Sequence, residues 1–419
     1  MDISVIVIGD ELLIGQVTDT NSGFIARTVA PEGWEVKSVL EVGDNEPDIL
    51  RAIDEAFALT DVVITTGGLG PTKDDITKPL LCRYFGGTLV RDPEVTANIR
   101  QIFEGRGLQL NTLTADQALV PTSCRVIQNL CGTAPIMWFE RPDGKVLVAM
   151  PGVPFETETM FVSEVFPQLR ERFRSRTHVA HAVVMVTGFT ESALAMKLEP
   201  WETALPAHLH LAYLPKQGVI RLRIDARHES AGAAQAEAER ASAEIVGIIG
   251  KEHVIATQDL TPAEILLNMC RDRGIMLASA ESCTGGNIAH TLTLIPGASD
   301  VVAGGVVSYS NEVKHNVLGV KNETLAAFGA VSVPVVREMT EGVARVTGAQ
   351  LTMTTSGIAG PGGGTPDKPV GTVCIAARLA IPGEEPREIA DTFRFNGTRA
   401  RIIDTSTTRA ILLAISLLK

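Results

Sequence analysis

Short apolar segments alternate with helical patterns at the start of the chain, and this alternation constrains the fold more than any other feature. Strand-like segments and amphipathic helical patterns follow each other at residues 3–8, 20–29, 36–42, 47–59 and 62–66. Such an order is typical of βαβ units around a mostly parallel sheet. The pattern therefore predicts an α/β domain over residues 1–173.

A different order follows over residues 174–256, where the pattern predicts a small α+β domain. The predicted elements run β-α-β-β-α-β, with strands at 182–187, 209–214, 219–226 and 253–256 and helices after 190 and at 229–249. This is the order of a split βαβ sandwich. The segment contains no evident catalytic cluster.

A third domain, again α/β, is predicted over residues 261–419. Thr261, Pro262 and Glu264 mark its first helix, because the threonine can cap the helix, the proline fits its first turn and the glutamate occupies the capping-box position. The last helical pattern covers residues 402–418. The predicted fold class is two α/β domains with mostly parallel sheets, joined by a small α+β domain.

Composition and charge exclude several classes of protein. No apolar run reaches the roughly 18 residues that span a bilayer, and residues 1–4 lack the basic and apolar regions of a signal peptide. We therefore expect a cytoplasmic protein that does not enter membranes. The net charge of −12 disfavours general nucleic-acid binding, and six scattered cysteines predict neither a disulfide framework nor a structural zinc site. Apolar surface in multidomain chains often closes by twofold association, so we expect a homodimer.

The segment Ala280-Glu281-Ser282-Cys283-Thr284-Gly285-Gly286 lies between a predicted strand and a predicted helix, at the sheet edge where sites are usually found. Ser282 is the candidate nucleophile. Thr284, Gly285 and Gly286 are candidate binding residues, since glycines let the backbone present N–H groups to an oxyanion or a phosphate. Taken alone, such a turn is more often a helix cap, and Cys283 is a rival nucleophile.

Three further segments supply groups that a serine nucleophile needs. Tyr309 and Lys314 place a phenol and an amine close together, and these groups can deprotonate a serine that has no histidine partner. Arg399 suits bidentate recognition of phosphate. The loop at 355–364 is expected to hold an anion through its N–H groups, with the candidate residues Ser356, Gly357, Gly360, Gly362 and Gly363. The alternative is a surface lysine, a core tyrosine, a flexible loop and a solvated arginine.

These segments resemble the C-terminal domain of the CinA family (competence/damage-inducible protein A), whose members include nicotinamide mononucleotide deamidases. The resemblance covers residues 262–415 and rests on the serine segment, on residues 293–299, 307–314, 329–332, 357–361 and 368–373. It implies that Ser282 attacks the carboxamide carbon, that Lys314 accepts its proton with Tyr309 as neighbour or relay, and that ammonia leaves from an acyl-enzyme. Arg399 and the loop at 360–364 would hold the 5′-phosphate, without a cofactor. Ser356 stands where many members carry threonine.

Three loops of the first domain, each at the end of a strand, combine glycines with carboxylates. Asp10 follows the first strand, Glu156 lies after the last, and the loop between them contains Gly67, Gly68, Gly70, Thr72, Asp74 and Asp75. Glycines permit close approach to phosphate, and carboxylates suit a divalent cation that bridges phosphate oxygens. For any one carboxylate taken singly, a helix cap or a solvated charge is the better interpretation.

Together these loops resemble the molybdopterin-binding fold of the MoaB/MogA type, in the version fused to CinA proteins, with Asn21 and residues 129–135 as further matches. Members with this domain include metal-dependent pyrophosphatases that act on ADP-ribose. The resemblance implies that the glycine loop, Asn21 and Thr72 bind substrate and that Asp10, Asp74, Asp75 and Glu156 hold a divalent metal, Co, Mn or Mg. The chain departs from the pattern at Asp116 and Ile136, where members commonly show a basic residue and a glycine.

The middle domain resembles the KH-like domain of the same family. Because the chain is acidic, with a net charge of −12, RNA binding is not implied. The whole series predicts a bifunctional pyridine-nucleotide salvage enzyme with nicotinamide mononucleotide and ADP-ribose as substrates. Three alternatives stay open: one active domain with the other a nucleotide sensor, a non-enzymatic competence or recombination partner, and molybdopterin binding, which rests on fold analogy alone.

Overall fold

A computed structural model describes residues 1–72, 74–173, 177–216 and 218–419. They form two compact units, Met1–His181 with Ala226–Glu237, and Ala182–Asp225 with Ala238–Lys419. The predicted boundary between the first two domains adjoins residues 174–176, which lie outside the described residues. The division into three domains therefore stays a prediction.

The N-terminal sheet has six strands in the order β2-β1-β3-β8-β7-β6, of which the first four are parallel and the last two antiparallel. Its strands are β1 Asp2–Ile8, β2 Glu35–Val42, β3 Val62–Thr66, β6 Cys124–Ile127, β7 Ile136–Glu140 and β8 Val146–Met150, and β4 Leu89–Arg91 with β5 Leu119–Pro121 forms a separate pair. The predicted parallel core is confirmed.

Helices cover both faces of this sheet. They are α1 Asp10–Leu13, α2 Asn21–Val29, α3 Glu46–Leu59, α4 Thr77–Tyr84, α5 Pro93–Gly105, α6 Thr112–Asp116, α7 Pro154–Met160 and α8 Phe166–Arg172, with a π-helical turn at Phe161–Val165. Alternate residues of a strand point to opposite faces. Thus Val5 packs in the cluster that contains Ile25 of α2, and Ile6 packs in the cluster that contains Ile53 of α3.

The middle segment follows the predicted order β-α-β-β-α-β. Its elements are β9 His178–Val186, α9 Glu191–Thr203, β10 Leu209–Lys216, β11 Val219–His228, α10 Ala231–Ile249 and β12 Val254–Ala256, and its sheet has the order β10-β11-β9-β12. One apolar row runs along β11, where Leu222, Ile224 and Ala226 alternate with half-buried residues, as expected of a strand with one covered face.

The C-terminal sheet has the order β14-β13-β15-β16-β17, in which the first three strands are parallel and the last two antiparallel. Its elements are α11 Pro262–Arg273, β13 Leu277–Glu281, α12 Asn287–Thr293, β14 Val302–Val307, α13 Asn311–Asn316, α14 Asn322–Phe328, α15 Val333–Thr347, β15 Leu351–Gly357, β16 Thr372–Leu379, β17 Arg387–Arg394 and α16 Arg399–Leu418. Single turns of 3-10 helix lie at Ala30–Glu32, Lys251–His253 and Ala298–Asp300.

The ends of this domain's helices follow from local signals. The capping box of Thr261 and Glu264 is present at the start of α11, and Gly274 ends that helix in the left-handed conformation. The last helix begins earlier than residue 402, because the Thr398 side chain accepts a hydrogen bond from the N–H of Arg401 and caps it. Arg399 is therefore the first residue of α16 and does not precede it.

Both α/β sheets bring chemically active loops to one edge. In the N-terminal sheet, Val7 pairs with Thr66 and Thr66 with Met150, so the loops after β1, β3 and β8 are neighbours. In the C-terminal sheet, Glu281 pairs with Val307 and Thr355. The predicted fold class is confirmed. Within the described residues, no helix combines the length and the hydropathy needed to cross a bilayer.

Candidate active sites

Ser282 and Lys314 meet at the carboxyl edge of the C-terminal sheet. Ser282 follows β13, and its N–H donates to the carbonyl of Thr355 on the neighbouring strand. Lys314 lies on α13, which starts where Ser310 caps it, and its Nζ is 3.0 Å from Ser282 Oγ. The two side chains are 32 residues apart in sequence and are in hydrogen-bond contact in the fold.

Lys314 is almost completely buried, with 1% of its surface exposed. Its Nζ also donates to the main-chain carbonyls of Ser308, at 2.8 Å, and Tyr309, at 3.4 Å. Burial removes water from the charged amine and lowers the pKa of Lys314 below its ordinary value. No carboxylate is hydrogen-bonded to this amine among the described residues.

A cavity of about 230 Å³ opens onto the serine and the lysine. It is lined by Ser282, Cys283, Tyr309, Asn311, Lys314, Ala330, Val331, Ser356, Gly357, Ala359 and Arg399. The guanidinium of Arg399 donates to the Tyr309 hydroxyl at 3.0 Å and to the Gly360 carbonyl at 2.7 Å. Six of the residues predicted for this site thus share one cavity, with a cation on its rim.

The structure gives Tyr309 two separate contacts. Its main-chain carbonyl faces Lys314, whereas its hydroxyl bonds Arg399. Within the described residues, the hydroxyl makes no hydrogen bond to Ser282 or Lys314. A relay through the phenol therefore stays a prediction.

The other residues predicted to bind substrate lie outside the cavity lining: Thr284, Gly285, Gly286, Gly360, Gly362 and Gly363. Thr284 is buried, and its hydroxyl bonds Glu281 and the hydroxyl of Thr355. Gly285 and Gly286 have positive φ, at 64° and 101°, which is the backbone that turns the chain into α12. Gly360 is buried and offers its carbonyl to Arg399.

Cys283 borders the same cavity as the predicted nucleophile. Burial raises the pKa of its thiol to about 12, with the Glu281 charge in the same direction. The thiolate is the reactive form of cysteine. The geometry thus favours the serine over its neighbour.

Glu281 was not singled out in the sequence, although it stands in the serine segment. Its side chain is 1% exposed and accepts hydrogen bonds from the Ser279 and Thr284 hydroxyls and from the N–H groups of residues 286, 288 and 289. An acidic residue at the end of a buried strand is rarely enclosed without partners. The place of Glu281 at the end of a buried strand is the sequence feature that could have identified it.

The N-terminal unit contains a larger cavity, of about 520 Å³. Seven predicted residues line it: Asn21, Gly67, Gly68, Gly70, Asp74, Asp75 and Glu156. The glycine loop needs its glycines, since a Cβ at Gly67, whose φ is 104°, would lie 2.1 Å from the carbonyl oxygen of Ile8. The backbone of this loop can therefore approach a ligand closely.

Hydrogen bonds hold two of the predicted metal ligands in place. Asp75 accepts from the N–H groups of Gly70, at 2.8 Å, and Thr72, at 2.9 Å, and so closes the glycine loop. Glu156 accepts from the Asn129 amide at 2.7 Å. Both carboxylates border the cavity. Some of their lone pairs already accept hydrogen bonds from the protein.

Asp10 and Thr72 lie outside this lining. Asp10 instead forms a reciprocal pair with Asp44, in which each carboxylate accepts from the other's N–H at 3.1 Å. Asp44 lines the cavity, and burial, followed by the charges of Asp10, Glu11 and Asp75, raises its pKa. The sequence analysis assigned no role to Glu11, Asp19 or Asp44, which line the cavity as well.

The same cavity shows how a divalent cation could be accommodated. In the parts of the chain that the structure describes, no three His, Cys, Asp or Glu side chains are placed to hold a metal ion. The lining nevertheless carries six carboxylates, at Glu11, Asp19, Asp44, Asp74, Asp75 and Glu156. This donor set fits a cation that takes one or two carboxylates and completes its shell with substrate phosphates, as Mg²⁺ commonly does.

Three family models match the chain in succession. They are described as "Probable molybdopterin binding domain" over residues 4–171, "Damage-inducible protein CinA KH domain" over 181–253 and "CinA C-terminal domain" over 259–418. The order of the matches agrees with the order of the three predicted domains.

Whole-length relatives carry the same names. The chain is 41% identical to a "CinA-like protein" of Cytophaga hutchinsonii, over 89% of this chain and 88% of the relative. It is 37% identical to a "CinA-like protein" of Flavobacterium psychrophilum, over 98% and 97%. A solved structure, the competence/damage inducible protein CihA from Agrobacterium tumefaciens, is 35% identical, covers 39% of this chain and all of its own, and has a TM-score of 0.36.

Proposed function

The chain belongs to the CinA family, and from this membership and the geometry of its C-terminal site we propose that it hydrolyses the carboxamide of nicotinamide mononucleotide. One observation carries the proposal: the buried amine of Lys314 lies 3.0 Å from the hydroxyl of Ser282, at a cavity large enough for a ring. A serine with a neighbouring base is the arrangement that acyl transfer needs.

The two carbonyls around Lys314 support its role as a base. A neutral amine has two N–H groups and one lone pair. The carbonyls of Ser308 and Tyr309 can take both N–H groups, which leaves the lone pair for the hydroxyl proton of Ser282. Burial lowers the pKa of Lys314, which increases the share of this neutral form at a given pH.

The reaction then runs in two balanced steps. Ser282 Oγ forms a bond to the carboxamide carbon while Lys314 takes the hydroxyl proton, and that proton passes to the nitrogen as the C–N bond breaks and ammonia leaves. Water attacks the acyl-enzyme with Lys314 again as base, and nicotinate mononucleotide and free Ser282 result. Arg399, on the cavity rim, is placed to pair with the substrate phosphate.

The test measures ammonia release from nicotinamide mononucleotide by the full chain. We expect turnover by the parent, none above background for Ser282→Ala, and parent activity for Ser416→Ala, an exposed serine of α16. Binding of the nucleotide without ammonia release would instead make this site a sensor. Release that survives Ser282→Ala would contradict the nucleophile.

For the N-terminal domain we propose hydrolysis of a nucleotide pyrophosphate such as ADP-ribose. The supporting observation is a cavity in which a glycine loop and six carboxylates face each other. One or two of the carboxylates of Asp74, Asp75 and Glu156 would hold the divalent cation, which, when bound, would neutralise phosphate charge and activate water. The chain's own contribution is to bind phosphate on the N–H groups of Gly68 and Leu69 and to hold that loop through the hydrogen bond from the Gly70 N–H to Asp75.

Product analysis tests this second activity. The full chain is incubated with ADP-ribose and Mg²⁺, Mn²⁺ or Co²⁺, and we expect AMP and ribose 5-phosphate that disappear when the metal is chelated. An unchanged substrate with all three metals would contradict the proposal. Retained pyrophosphatase activity in Ser282→Ala would show that the two sites act separately.

A further inference from the structure

The side chain of Glu281 is the most highly hydrogen-bonded acidic group at the C-terminal site. One carboxylate oxygen accepts from Ser279 Oγ and the N–H of Ala289, each at 2.9 Å. The other accepts from Thr284 Oγ1 at 2.8 Å and from the N–H groups of Gly286, at 3.0 Å, and Ile288, at 2.9 Å. Five donors thus converge on two oxygens.

The Glu281 carboxylate is the acceptor in all five hydrogen bonds. A carboxylate has about four lone-pair positions and no proton to donate, so five donors fill its capacity. Three of the donors are backbone N–H groups at the start of α12, where a negative charge is stabilised. Glu281 is absent from the cavity lining, so its contribution to the site acts through the backbone.

The backbone that Glu281 holds is the turn carrying Ser282. Before the serine, β13 is paired on both sides, and the Ser282 N–H donates to Thr355. After the serine, Thr284 and Gly286 are tied to the Glu281 carboxylate, and the Gly285 N–H donates to the Ser282 carbonyl at 3.1 Å. The turn is therefore fixed at both ends by groups that lie outside the cavity lining.

One N–H of this turn is left for the reaction. Cys283 lines the cavity next to the nucleophile, and within the described residues its N–H makes no hydrogen bond to a backbone carbonyl. An N–H of the residue after the nucleophile is well placed to bind the oxyanion that forms during attack. A turn that rotated would move both this donor and the serine hydroxyl.

We propose that Glu281 is the positioning residue of the C-terminal site: its buried carboxylate locks the turn at residues 282–286, holds Ser282 Oγ against Lys314 and keeps the Cys283 N–H directed at the oxyanion. The proposal rests on the amide-hydrolysing function of the same site. It explains why an acidic side chain that touches no substrate is enclosed directly before the nucleophile.

Glu281→Gln is the most direct test. The amide keeps the size of the side chain but turns one acceptor oxygen into an NH₂ group, which then opposes either the N–H of Ala289 or those of Gly286 and Ile288. We expect kcat for ammonia release to fall about 100-fold, as for a displaced catalytic group, with little change in KM. Glu341→Gln, an exposed glutamate on α15, is the matched control and retains parent kinetics.

A second readout separates this proposal from the choice of substrate. A fluorophosphonate reacts with an aligned serine: the Oγ–P bond forms, fluoride leaves, and the hydroxyl proton goes to Lys314. Mass spectrometry of the Ser282 peptide gives the labelling rate without nicotinamide mononucleotide. We expect rapid labelling of the parent and Glu341→Gln, and slow labelling of Glu281→Gln.

The outcomes are distinct. If the parent is labelled but releases no ammonia, the proposed substrate is refuted and the role of Glu281 can still be tested by labelling. If the parent is neither labelled nor active, the proposed function and the role of Glu281 are both refuted. If Glu281→Gln folds and keeps the kcat and the labelling rate of the parent, the positioning role is overturned and Glu281 contributes only to the structure. If that variant does not fold, Ser279→Ala is used instead, because it removes one of the five donors to Glu281. A kcat and a labelling rate that stay at the parent values overturn the proposal. A loss in both supports it.

Discussion

The pH dependence of ammonia release is the sharpest consequence of a buried lysine base. A lysine with an ordinary pKa is neutral in only about 0.04% of molecules at pH 7. Each unit by which burial lowers the pKa raises that fraction about tenfold. Because Lys314 is buried and has carbonyls as partners, the neutral fraction, and with it the rate, should be well above the ordinary value.

The sign of the profile follows from the form that reacts. The neutral amine is the base, so kcat/KM rises about tenfold per pH unit below the lowered pKa of Lys314 and is level above it. Lys314→Met removes the base, and the expected loss is about 100- to 10,000-fold, equivalent to about 3 to 5 kcal/mol in the activation free energy. Lys314→Arg should lose as much, because the guanidinium stays protonated.

The assay is ammonia release at saturating and at low nucleotide concentration over a series of buffers of equal ionic strength. Lys321→Met, at an exposed lysine between α13 and α14, is the control and should keep the parent profile. A profile with no rise anywhere between acid and alkaline pH, or a folded Lys314→Met variant with parent activity, would refute a buried lysine base.

Three further predictions concern other parts of the chain. Gly342→Ala, in the middle of α15, should destabilise the protein by about 1–3 kcal/mol, measured by thermal unfolding, because its Cβ would lie 2.1 Å from the Leu318 carbonyl oxygen. Asp75→Asn should reduce ADP-ribose hydrolysis and leave ammonia release unchanged, measured on one preparation; equal loss of both would contradict separate sites. Arg399→Lys keeps the charge but loses the fork that bonds Tyr309, so KM for the mononucleotide should rise about tenfold, and an unchanged KM would exclude a phosphate contact.

The order of strands and helices was accessible from the sequence because it depends on local patterns. Apolar periodicity located β1, β2 and β3 of the N-terminal sheet, and the Thr261 signal located the start of α11 as observed. The grouping of active loops at one edge followed as well, since the carboxyl ends of parallel strands lie together. Ser282 and Lys314 could be paired in advance for that reason and through the family resemblance.

Individual side-chain roles were less accessible, because they depend on contacts between distant segments. Tyr309 was predicted from its phenol, yet in the fold its main-chain carbonyl faces Lys314 and its hydroxyl faces Arg399. Thr284 was predicted to bind substrate and is buried against Glu281 and Thr355.

What the sequence by itself determined is the α/β framework and the edge at which each nucleophile and carboxylate emerges, because strand periodicity and helix capping act over a few residues. What only the tertiary structure decided is the protonation and orientation of the groups there. Burial of Lys314 between two carbonyls and enclosure of Glu281 by five donors arise where β13, α12 and α13 meet. Desolvation and hydrogen-bond partners depend on neighbours that no local pattern names.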